Sequence, residues 1–309
     1  METRKIRATQ FLSRFIPFVP LVRALVRYLP PVPRTAIWNR LCGGKLVRLH
    51  HHFTVRTEYG LFSGDSYDML SQFVYYFGGW EPEVSELISE RLRPGQTFVD
   101  VGANTGWYTV LAAKKVGPSG RVVAIEASPV NFLWLKKNIA KNALGNARLM
   151  NEAAWSDEAD LSLFQGPDSE SGVSTVVPSF AERKSCEMSG TIHARPLAAL
   201  LSPDEIATLR VLKIDVEGAE LEVIRGLEPV LDSTSDDMEV FLELNPGEYD
   251  VEELLRPFRE RGFRAWIIPN EYLPSHYLSY SKLDHREPLE ELLGIPDGQI
   301  DVLLSRTRP

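Results

Sequence analysis

Acidic side chains and glycines follow two neighbouring strands predicted from the sequence, at the points where those strands end. Asp100 ends a buried strand and precedes a turn that contains Gly102 and Gly106, and Glu126 ends the next strand. Glycines permit a tight turn and a close approach of the backbone to a ligand, and a carboxylate at the second strand end can accept hydrogen bonds from both hydroxyls of a ribose. The pattern therefore indicates a nucleoside cofactor.

The residues of the turn indicate which class of nucleoside cofactor is expected. Dinucleotide sites use a G-x-G-x-x-G turn, so that a helix N-terminus can hold a pyrophosphate. Here the turn reads G-A-N-T-G, with Ala103 and Asn104 in place of a middle glycine. This argues against a pyrophosphate and for a ligand with an amino-acid tail, a description that S-adenosylmethionine fits. A nicotinamide-dependent oxidoreductase would use the same strand-end acid and is the alternative.

A second group of charged residues lies at the ends of two later predicted strands, 210–215 and 239–244. The two-residue period of a strand places Lys213 and Asp215 on one face, and Glu243 lies near the end of the neighbouring strand. The carboxyl ends of parallel strands form the edge at which open α/β sheets bind ligands. We therefore expect these side chains beside the cofactor.

S-adenosylmethionine carries its methyl group on a sulfonium, and transfer of that group to a weakly acidic acceptor would be an in-line displacement in which a proton must leave the acceptor. Asp215 is the first candidate for the base, with Glu217 and Glu243 as further candidates. The alternative is that Lys213 and a carboxylate form an ion pair that only stabilises the site.

Two other chemistries are weaker alternatives. Asp215, Glu243 and Asn245 could offer oxygen ligands to Mg²⁺, but three ligands on two strand ends are a loose pattern, and no resident metal is favoured. His276, in the polar segment 274–285, could act as a neutral imidazole base, although a position in a surface loop is expected for it.

Short apolar runs alternate with helical stretches from residue 97 onward, a pattern typical of a mostly parallel sheet covered by helices on both faces. The polar segment 160–195 interrupts this pattern and is predicted to form added strands and a loop, where a substrate lid could lie. The predicted strands are 97–101, 121–126, 147–151, 210–215, 239–244, 263–268 and 300–305.

Four stretches resemble the FkbM family of S-adenosylmethionine-dependent methyltransferases over about residues 80–245: FVDVGANTGWYT, VVAIEASPVNFLWLKKNI, NEAAWSDEADLSLF and VLKIDVEGAELEVIRGL. The resemblance implies the class I methyltransferase (Rossmann-like) fold, with a seven-stranded sheet that has one antiparallel strand. It also implies methyl transfer to a hydroxyl of a sugar or polyketide. One departure is the sequence R-P-L-A-A-L at 195–200, where the family often has a T-L-D-like pattern.

The resemblance also implies roles for individual residues. Asp100, Gly102 and Asn104 would line the methionine end of the cofactor, and Glu126 would bind the ribose. Asn151 would lie near the adenine, and its alternative role is that of a loop amide that caps its neighbours.

The N-terminal part of the chain differs from the rest in charge. The net charge is −8, but residues 1–50 carry +9 and the remainder carries −17. Residues 1–34 interleave arginines with apolar side chains, which favours either a helical pair packed on the body or an interfacial segment that contacts anionic lipid. An acidic body is not typical of a nucleic-acid-binding protein, so we expect no nucleic-acid partner.

The sequence predicts three regions. Residues 1–48 are predicted to form a basic helical extension. Residues 49–96 are predicted to form a cap, which consists of a hairpin (from the strand-like stretch 46–62) and of helices (65–93). Residues 97–309 are predicted to form the methyltransferase domain, with the lid insertion at 160–195. Cys42 and Cys186 lack metal-ligand spacing and are interpreted as free thiols of a reducing compartment, which favours the cytoplasm, with peripheral contact at the inner membrane surface as a variant. The apolar run 15–22 is too short to span a bilayer and lacks the features of a signal peptide.

These observations predict a cytoplasmic S-adenosylmethionine-dependent O-methyltransferase. The acceptor would be a hydroxyl of a small molecule: a sugar, a glycolipid or a polyketide-type compound. A scaffold that binds the cofactor or a lipid without turnover is a further alternative to the nicotinamide-dependent oxidoreductase. The oligomeric state does not follow from the sequence.

Overall fold

The computed structural model describes residues 19–39, 51–166, 173–280 and 288–309. The predicted features at 1–18, 46–50, 167–172 and 281–285, and Cys42, lie outside these residues. Before the central sheet the chain forms, in order, α1 (Val19–Tyr28), α2 (Pro31–Ile37), β1 (His52–Arg56), β2 (Leu61–Asp65), α3 (Met69–Phe77) and α4 (Pro82–Arg91).

The central part of the chain alternates strands and helices, as the apolar runs predict. It forms, in order, β3 (Thr97–Val101), α5 (Trp107–Val116), β4 (Arg121–Ile125), α6 (Pro129–Lys141), β5 (Ala147–Met150), β6 (Ala153–Trp155), β7 (Ala159–Gln165), β8 (Ser174–Thr175), α7 (Pro178–Arg183), β9 (Glu187–Pro196), α8 (Leu197–Leu200), α9 (Pro203–Ala207) and β10 (Leu209–Ile214). The remaining elements are α10 (Glu220–Leu227), a 3₁₀ helix (Glu228–Ser233), β11 (Glu239–Leu244), α11 (Val251–Arg259), β12 (Arg264–Ile268), α12 (Pro274–Ser279), β13 (Glu290–Glu291) and β14 (Ile300–Ser305).

The main sheet has the strand order β13-β12-β14-β11-β10-β3-β4-β5 in the described residues. The neighbouring strands from β11 to β5 are parallel, and β14 is antiparallel to both β11 and β12. All seven predicted strands are present and exactly one of the seven is antiparallel to the others, so the predicted class I methyltransferase fold is confirmed. The two-residue strand β13 adds an eighth strand at one edge.

The sheet is buried on both faces, because its strands are apolar almost throughout. All five residues of β3 are buried. Phe98 packs in the hydrophobic cluster on the side of α3, α4 and α5, whereas Val99 and Val101 pack in the cluster on the side of α10 and α11. This alternation follows from the two-residue period of a strand.

The predicted lid region folds into a small second sheet. Strands β6, β9, β7 and β8 lie side by side in that order, and α7 follows β8. The added strands predicted for 160–195 are therefore present. Residues 173–176 and Lys184 border the cavity described below.

Two asparagines, Asn138 in α6 and Asn142 just after it, join the β1–β2 hairpin to the central domain. Asn138 is fully buried, its Oδ1 accepts a hydrogen bond from Ser63 N (2.7 Å), and its Nδ2 donates to the carbonyl oxygens of Ser63 and Thr105 (2.9 Å each). Asn142 accepts from Leu61 N (2.9 Å) and donates to Leu61 O (2.6 Å). Since each amide pairs with both backbone groups of one β2 residue, the hairpin is attached to α6 as a further strand would be.

The N-terminal helices pack on the body. Val19, Val22 and Val26 form a buried stripe with helical spacing on α1. Arg23 Nε donates to Tyr75 O (2.7 Å), and its guanidinium lies 5.2 Å from the centre of the Tyr75 ring. Residues 19–39 thus make the contacts expected for a helical pair that packs on the body, the first of the two alternatives predicted from the sequence. No helix among residues 19–39, 51–166, 173–280 and 288–309 is both long and apolar enough to cross a membrane.

Candidate active site

A cavity of about 770 Å³ opens at the carboxyl ends of β3, β4 and β10. Its wall combines the glycine turn after β3, the end of β4, the loop after β10, the insertion and the helical cap. The lining residues that carry the argument below are Trp80, Glu81, Gly102, Asn104, Tyr108, Glu126, Glu152, Lys184, Lys213, Asp215, Glu217, Glu243 and Tyr272.

The glycine turn needs glycine at both of its ends. Gly102 has φ +79°, and a Cβ at this position would lie 1.8 Å from the carbonyl oxygen of Asp215. Gly106 has φ +91°, and a Cβ there would lie 2.6 Å from Leu135 Cδ1. Gly102 and Asn104 border the cavity, whereas Gly106 begins α5 behind the wall. The turn thus packs directly against the loop that carries Asp215.

Glu126 is held in place by two backbone amides. Its Oε2 accepts a hydrogen bond from Asn104 N (2.7 Å) and its Oε1 accepts one from Ser128 N (2.8 Å), where Ser128 also caps α6. Burial raises the pKa of Glu126 to about 7, although both amides oppose the shift. Each carboxylate oxygen keeps a lone pair, so the group can still accept two hydroxyl hydrogens.

Asp100 lies behind the turn rather than in the cavity wall. Thr109 Oγ1 donates to its Oδ2 (2.6 Å), and its Oδ1 is buried without a hydrogen-bond partner. Burial raises the pKa of Asp100 to about 6, against the opposing effect of Lys213. A direct contact of Asp100 with the methionine end of the cofactor remains a prediction.

Asn151 uses its side chain on the backbone. Its Nδ2 donates to the carbonyl oxygens of Glu126 (2.8 Å) and Ala127 (3.1 Å), which is the capping geometry that the sequence left as the alternative, and the residue does not border the cavity. The next residue, Glu152, borders the cavity. Its carboxylate accepts two hydrogen bonds from Arg195, from Nε (2.6 Å) and Nη2 (2.9 Å). Arg195 opens the segment in which the sequence departs from the family pattern.

The loop after β10 contains the first candidate base. Lys213 is 4% exposed, and its Nζ donates to Asp215 Oδ2 (2.8 Å) while lying 4.8 Å from the centre of the Tyr108 ring. Burial opposes the charge of Lys213, but Asp215, Glu81 and Asp100 outweigh it and raise the pKa of Lys213 above its ordinary value. Lys213 therefore stays a cation among carboxylates.

Glu217 and Glu243 lie in the same cavity wall as Asp215. Glu217 has a positive φ of 54°, and its carbonyl oxygen accepts a hydrogen bond from Thr175 Oγ1 of the insertion (2.8 Å). Burial and then Asp215 raise the pKa of Glu217 to about 8. Burial, Asp215 and Asp301 also raise the pKa of Glu243 well above its usual range, and Gln299 Nε2 donates to its carboxylate.

The weaker candidates lie elsewhere. Asn245 Oδ1 accepts from Gly247 N (3.2 Å) in a local turn, and His276 Nε2 lies 2.5 Å from Glu83 Oε1; neither side chain borders the cavity. Within the part of the chain that the structure describes, no group of three or more His, Cys, Asp or Glu side chains is arranged to hold a metal ion.

The sequence analysis missed a cluster around Glu81. This residue begins α4 with φ +40°, is 4% exposed and borders the cavity. Its carboxylate accepts hydrogen bonds from the hydroxyls of Tyr108 and Tyr272 (2.7 Å for Tyr272), and its N–H donates to Tyr277 Oη (3.0 Å). The local signal was a tryptophan and an acid, Trp80 and Glu81, between two helices.

Residues 100–265 match the family model described as the Methyltransferase FkbM domain. The chain belongs to the FkbM methyltransferase family. The predicted family is thereby confirmed, as is S-adenosylmethionine as the methyl donor. The family match runs from the end of β3 to the start of β12 and includes the glycine turn, Glu126 and Asp215, but it excludes Trp80, Glu81 and Tyr272.

Three known proteins illustrate the range of similarity. Hexuronic acid methyltransferase AglP of Haloferax volcanii is 29% identical over 57% of this chain and 67% of its own length. The 31-O-demethyl-FK506 methyltransferase FkbM of Streptomyces tacrolimicus is 30% identical over 44% of this chain and 61% of its own length. The crystal structure of Methyltransferase FkbM from Methylobacillus flagellatus aligns with 97% of this chain and 59% of that chain, at 12% identity and a TM-score of 0.41.

The residues of the cavity fit a cationic sulfonium donor. The cations among the described lining residues are Lys184 and Lys213, and Lys213 is paired with Asp215. The lining carboxylates outnumber them: Asp68, Glu81, Glu126, Glu152, Asp215, Glu217 and Glu243. A negative wall attracts a cation, and the glycine turn offers the close backbone approach that a nucleoside with an amino-acid tail requires.

Proposed function

We propose that the protein transfers the methyl group of S-adenosylmethionine to a hydroxyl of a small-molecule acceptor, namely a sugar, a glycolipid or a polyketide-type compound. The observation that carries this proposal is the position of three carboxylates, Asp215, Glu217 and Glu243, in the wall of the cavity that also contains the glycine turn. The names of two relatives, a hexuronic acid methyltransferase and a 31-O-demethyl-FK506 methyltransferase, agree with acceptors of this kind.

The donor is bound by the turn and by the two strand ends beside it. Gly102 and Asn104 border the methionine end, Glu126 accepts hydrogen bonds from the ribose hydroxyls, and Glu152 lies at the adenine end, where Asn151 fixes the backbone. When bound, S-adenosylmethionine supplies an electrophilic methyl group on a sulfonium. Asp100 lies behind the turn and helps to position the loop after β10, through its hydrogen bond with Thr109 and its charge interaction with Lys213.

The chain's own part in the chemistry is to orient the acceptor and remove its proton. As the hydroxyl oxygen forms its bond to the methyl carbon and the carbon–sulfur bond breaks, the hydroxyl proton passes to a carboxylate. Asp215 is our first assignment, because the hydrogen bond from Lys213 Nζ (2.8 Å) holds its carboxylate in a fixed orientation in the cavity wall. Glu217 and Glu243 are the further candidates, and the raised pKa of Glu217, about 8, would make it the stronger base once it is ionised.

Calorimetry with S-adenosylmethionine tests the donor site. We expect saturable binding in the wild type, and its loss in Glu126→Ala, because the ribose loses its acceptor. The exposed Glu260→Ala, at the end of α11, is the matched control and should bind as the wild type does. Saturable heat with NADH and none with S-adenosylmethionine would support the oxidoreductase instead.

Turnover is tested with the labelled methyl group of S-adenosylmethionine. The protein is incubated with fractionated cell extracts, and the labelled product is identified. We expect label in an ether of a small hydroxyl compound, and the loss of that label in Asp215→Asn with donor binding retained. If the wild type binds the donor but never forms S-adenosylhomocysteine with any fraction, the protein is a scaffold without turnover.

We further propose a cytoplasmic location with peripheral contact of residues 1–34 at an anionic membrane surface. Leu21, Tyr28 and Val32 are 58%, 77% and 82% exposed on the two docked helices, so an apolar side remains available beside basic residues. Such a surface would suit an amphiphilic acceptor.

A further inference from the structure

The cap and the segment after β12 meet at the border of the cavity. Trp80 and Glu81 immediately precede α4, and Tyr272 comes from the segment between β12 and α12. These three residues border the cavity but lie outside residues 100–265, which match the family model. This wall is therefore built by parts of the chain that the family match does not include.

Glu81 is positioned by three tyrosines. The hydroxyls of Tyr108 and Tyr272 each donate to one oxygen of its carboxylate, and Tyr277 Oη accepts its backbone N–H. A positive φ costs a non-glycine residue of order 1–3 kcal/mol, and such conformations cluster at binding sites. The side chain does not cap α4, although Glu81 occupies the N-cap position; it turns into the cavity instead. Each carboxylate oxygen retains a lone pair that can accept a hydrogen bond from a ligand hydroxyl.

Aromatic rings flank this carboxylate. The rings of Trp80 and Tyr272 lie 5.4 Å apart with an angle of 35° between their planes, and both residues border the cavity. An aromatic ring offers an apolar face, and a sugar ring has one face of C–H groups and an edge of hydroxyls. A ring pair beside a hydrogen-bond acceptor therefore matches both surfaces of a carbohydrate.

The charge of the wall selects among carbohydrates. Among the described lining residues, Lys213 is already paired with Asp215, and the other cation, Lys184, is exposed just after α7. A carboxylate or phosphate on the acceptor would therefore leave water without a buried cation to pair with, and it would lie among carboxyl groups, which is costly. A neutral acceptor avoids this cost.

We propose that Trp80, Glu81 and Tyr272 form the acceptor subsite, that this subsite binds a neutral sugar ring between aromatic contacts and the Glu81 carboxylate, and that it excludes uronic acids. The inference rests on the proposed O-methyltransferase function and gives that function a substrate class. It distinguishes this chain from its relative AglP, whose name specifies a hexuronic acid.

The test uses the full-length protein saturated with S-adenosylhomocysteine. Saturation-transfer NMR compares millimolar methyl glycosides of neutral mono- and disaccharides with the methyl glycosides of the corresponding uronic acids. We expect binding of at least one neutral glycoside, and binding about tenfold weaker or absent for its uronic counterpart, because the carboxylate of the uronic acid would leave water without a cationic partner.

Variants then locate the subsite. Glu81→Gln keeps the size of the side chain and removes its charge, and we expect it to weaken glycoside binding about tenfold, since a hydrogen bond to a charged group is the stronger kind. Tyr272→Phe keeps the ring and releases the carboxylate, so it tests the same contact if Glu81→Gln folds poorly. Glu90→Gln, on the exposed side of the same helix, is the matched control. With the bound glycoside as acceptor, labelled methyl transfer should show a raised KM in Glu81→Gln.

Calorimetry with S-adenosylmethionine separates the two levels of the inference. If the wild type does not bind this donor, the proposed function itself fails. If the donor binds with unchanged affinity in all variants, the subsite is judged on the glycosides alone. Absence of binding by every neutral glycoside, equal binding of the uronic acids, or unchanged glycoside binding in both Glu81→Gln and Tyr272→Phe would each overturn the subsite.

Discussion

The substitution Gly102→Ala should damage both the stability of the protein and its donor site, because the glycine turn touches the loop that carries the candidate base. The added Cβ would lie 1.8 Å from the carbonyl oxygen of Asp215, whereas real Cβ contacts do not fall below 3.0 Å. The two backbone segments must therefore separate by about 1.2 Å. They are joined at this point by the hydrogen bond from Asp215 N to Val101 O (3.0 Å), so the strain falls on the end of the β3–β10 pair.

Two costs add up in this variant. The left-handed conformation costs an alanine roughly 1–2 kcal/mol, and overpacking against a backbone atom costs about 1–3 kcal/mol more. The sum of about 2–5 kcal/mol corresponds to a loss in Tm of about 3–8 °C for a chain of this size. Gly262 provides the control: it has the same φ as Gly102, +79°, but a Cβ there meets nothing within 4 Å. Gly262→Ala should therefore carry only the conformational cost, about 1–2 kcal/mol.

Differential scanning fluorimetry on the wild type and both variants measures the difference between the two costs. Calorimetry with S-adenosylmethionine then shows whether Gly102→Ala also loses donor binding at temperatures where it is folded, whereas Gly262→Ala should bind normally. Equal Tm values for the two variants would refute the contact between Gly102 and the Asp215 carbonyl. Normal donor binding by a clearly destabilised Gly102→Ala would refute the role of the turn as the donor cradle.

Three further predictions concern stability and membrane contact. The Tm of the ligand-free protein should fall as the pH rises from about 5 to about 8. Burial raises the pKa of Asp100 to about 6 and that of Glu126 to about 7, so the folded state binds more protons than the unfolded state over this range. A Tm that rises across the same range would contradict this prediction. Arg23→Ala should cost about 1–2 kcal/mol, since it removes one hydrogen bond and one cation–π contact between α1 and the body, and chemical denaturation should detect the loss. Sedimentation with anionic vesicles should show weak binding that falls with salt and disappears on deletion of residues 1–34; unchanged sedimentation after the deletion would leave these residues with packing alone.

The main sheet could be predicted from the sequence because its strands bury both faces. All five residues of β3 are buried, and its sequence is largely apolar with one acid near its end. This pattern is typical of a strand that is covered on both faces. The strand β13 could not be predicted in the same way. It consists of Glu290 and Glu291, which lie at the edge of the sheet and pair with β12, and two acids carry no apolar period.

The donor side of the site was predictable from local patterns, but only to the level of the strand end. Sequence spacing indicates that Asp100 and Asn151 lie at the ligand edge of the sheet, yet it does not say whether a side chain turns into the cavity or beneath the turn. The structure places Asp100 behind the turn and Asn151 against the backbone, whereas the unremarked Glu152 borders the cavity. These orientations depend on tertiary partners such as Thr109 and Arg195.

The cap side of the cavity left no readable pattern in the sequence. Glu81 and Tyr272, which share a hydrogen bond, are 191 residues apart in the chain. Neither belongs to a motif, and each residue taken alone has an ordinary explanation at the end of a helix or in a loop. Only the folded chain brings them to one wall.

The attachment of the β1–β2 hairpin by Asn138 and Asn142 has a consequence for the donor turn. The buried Asn138 bonds both to Ser63 of the hairpin and to Thr105 of the turn. Because one amide joins these two segments, a displacement of the hairpin would also remove a hydrogen bond from the donor turn.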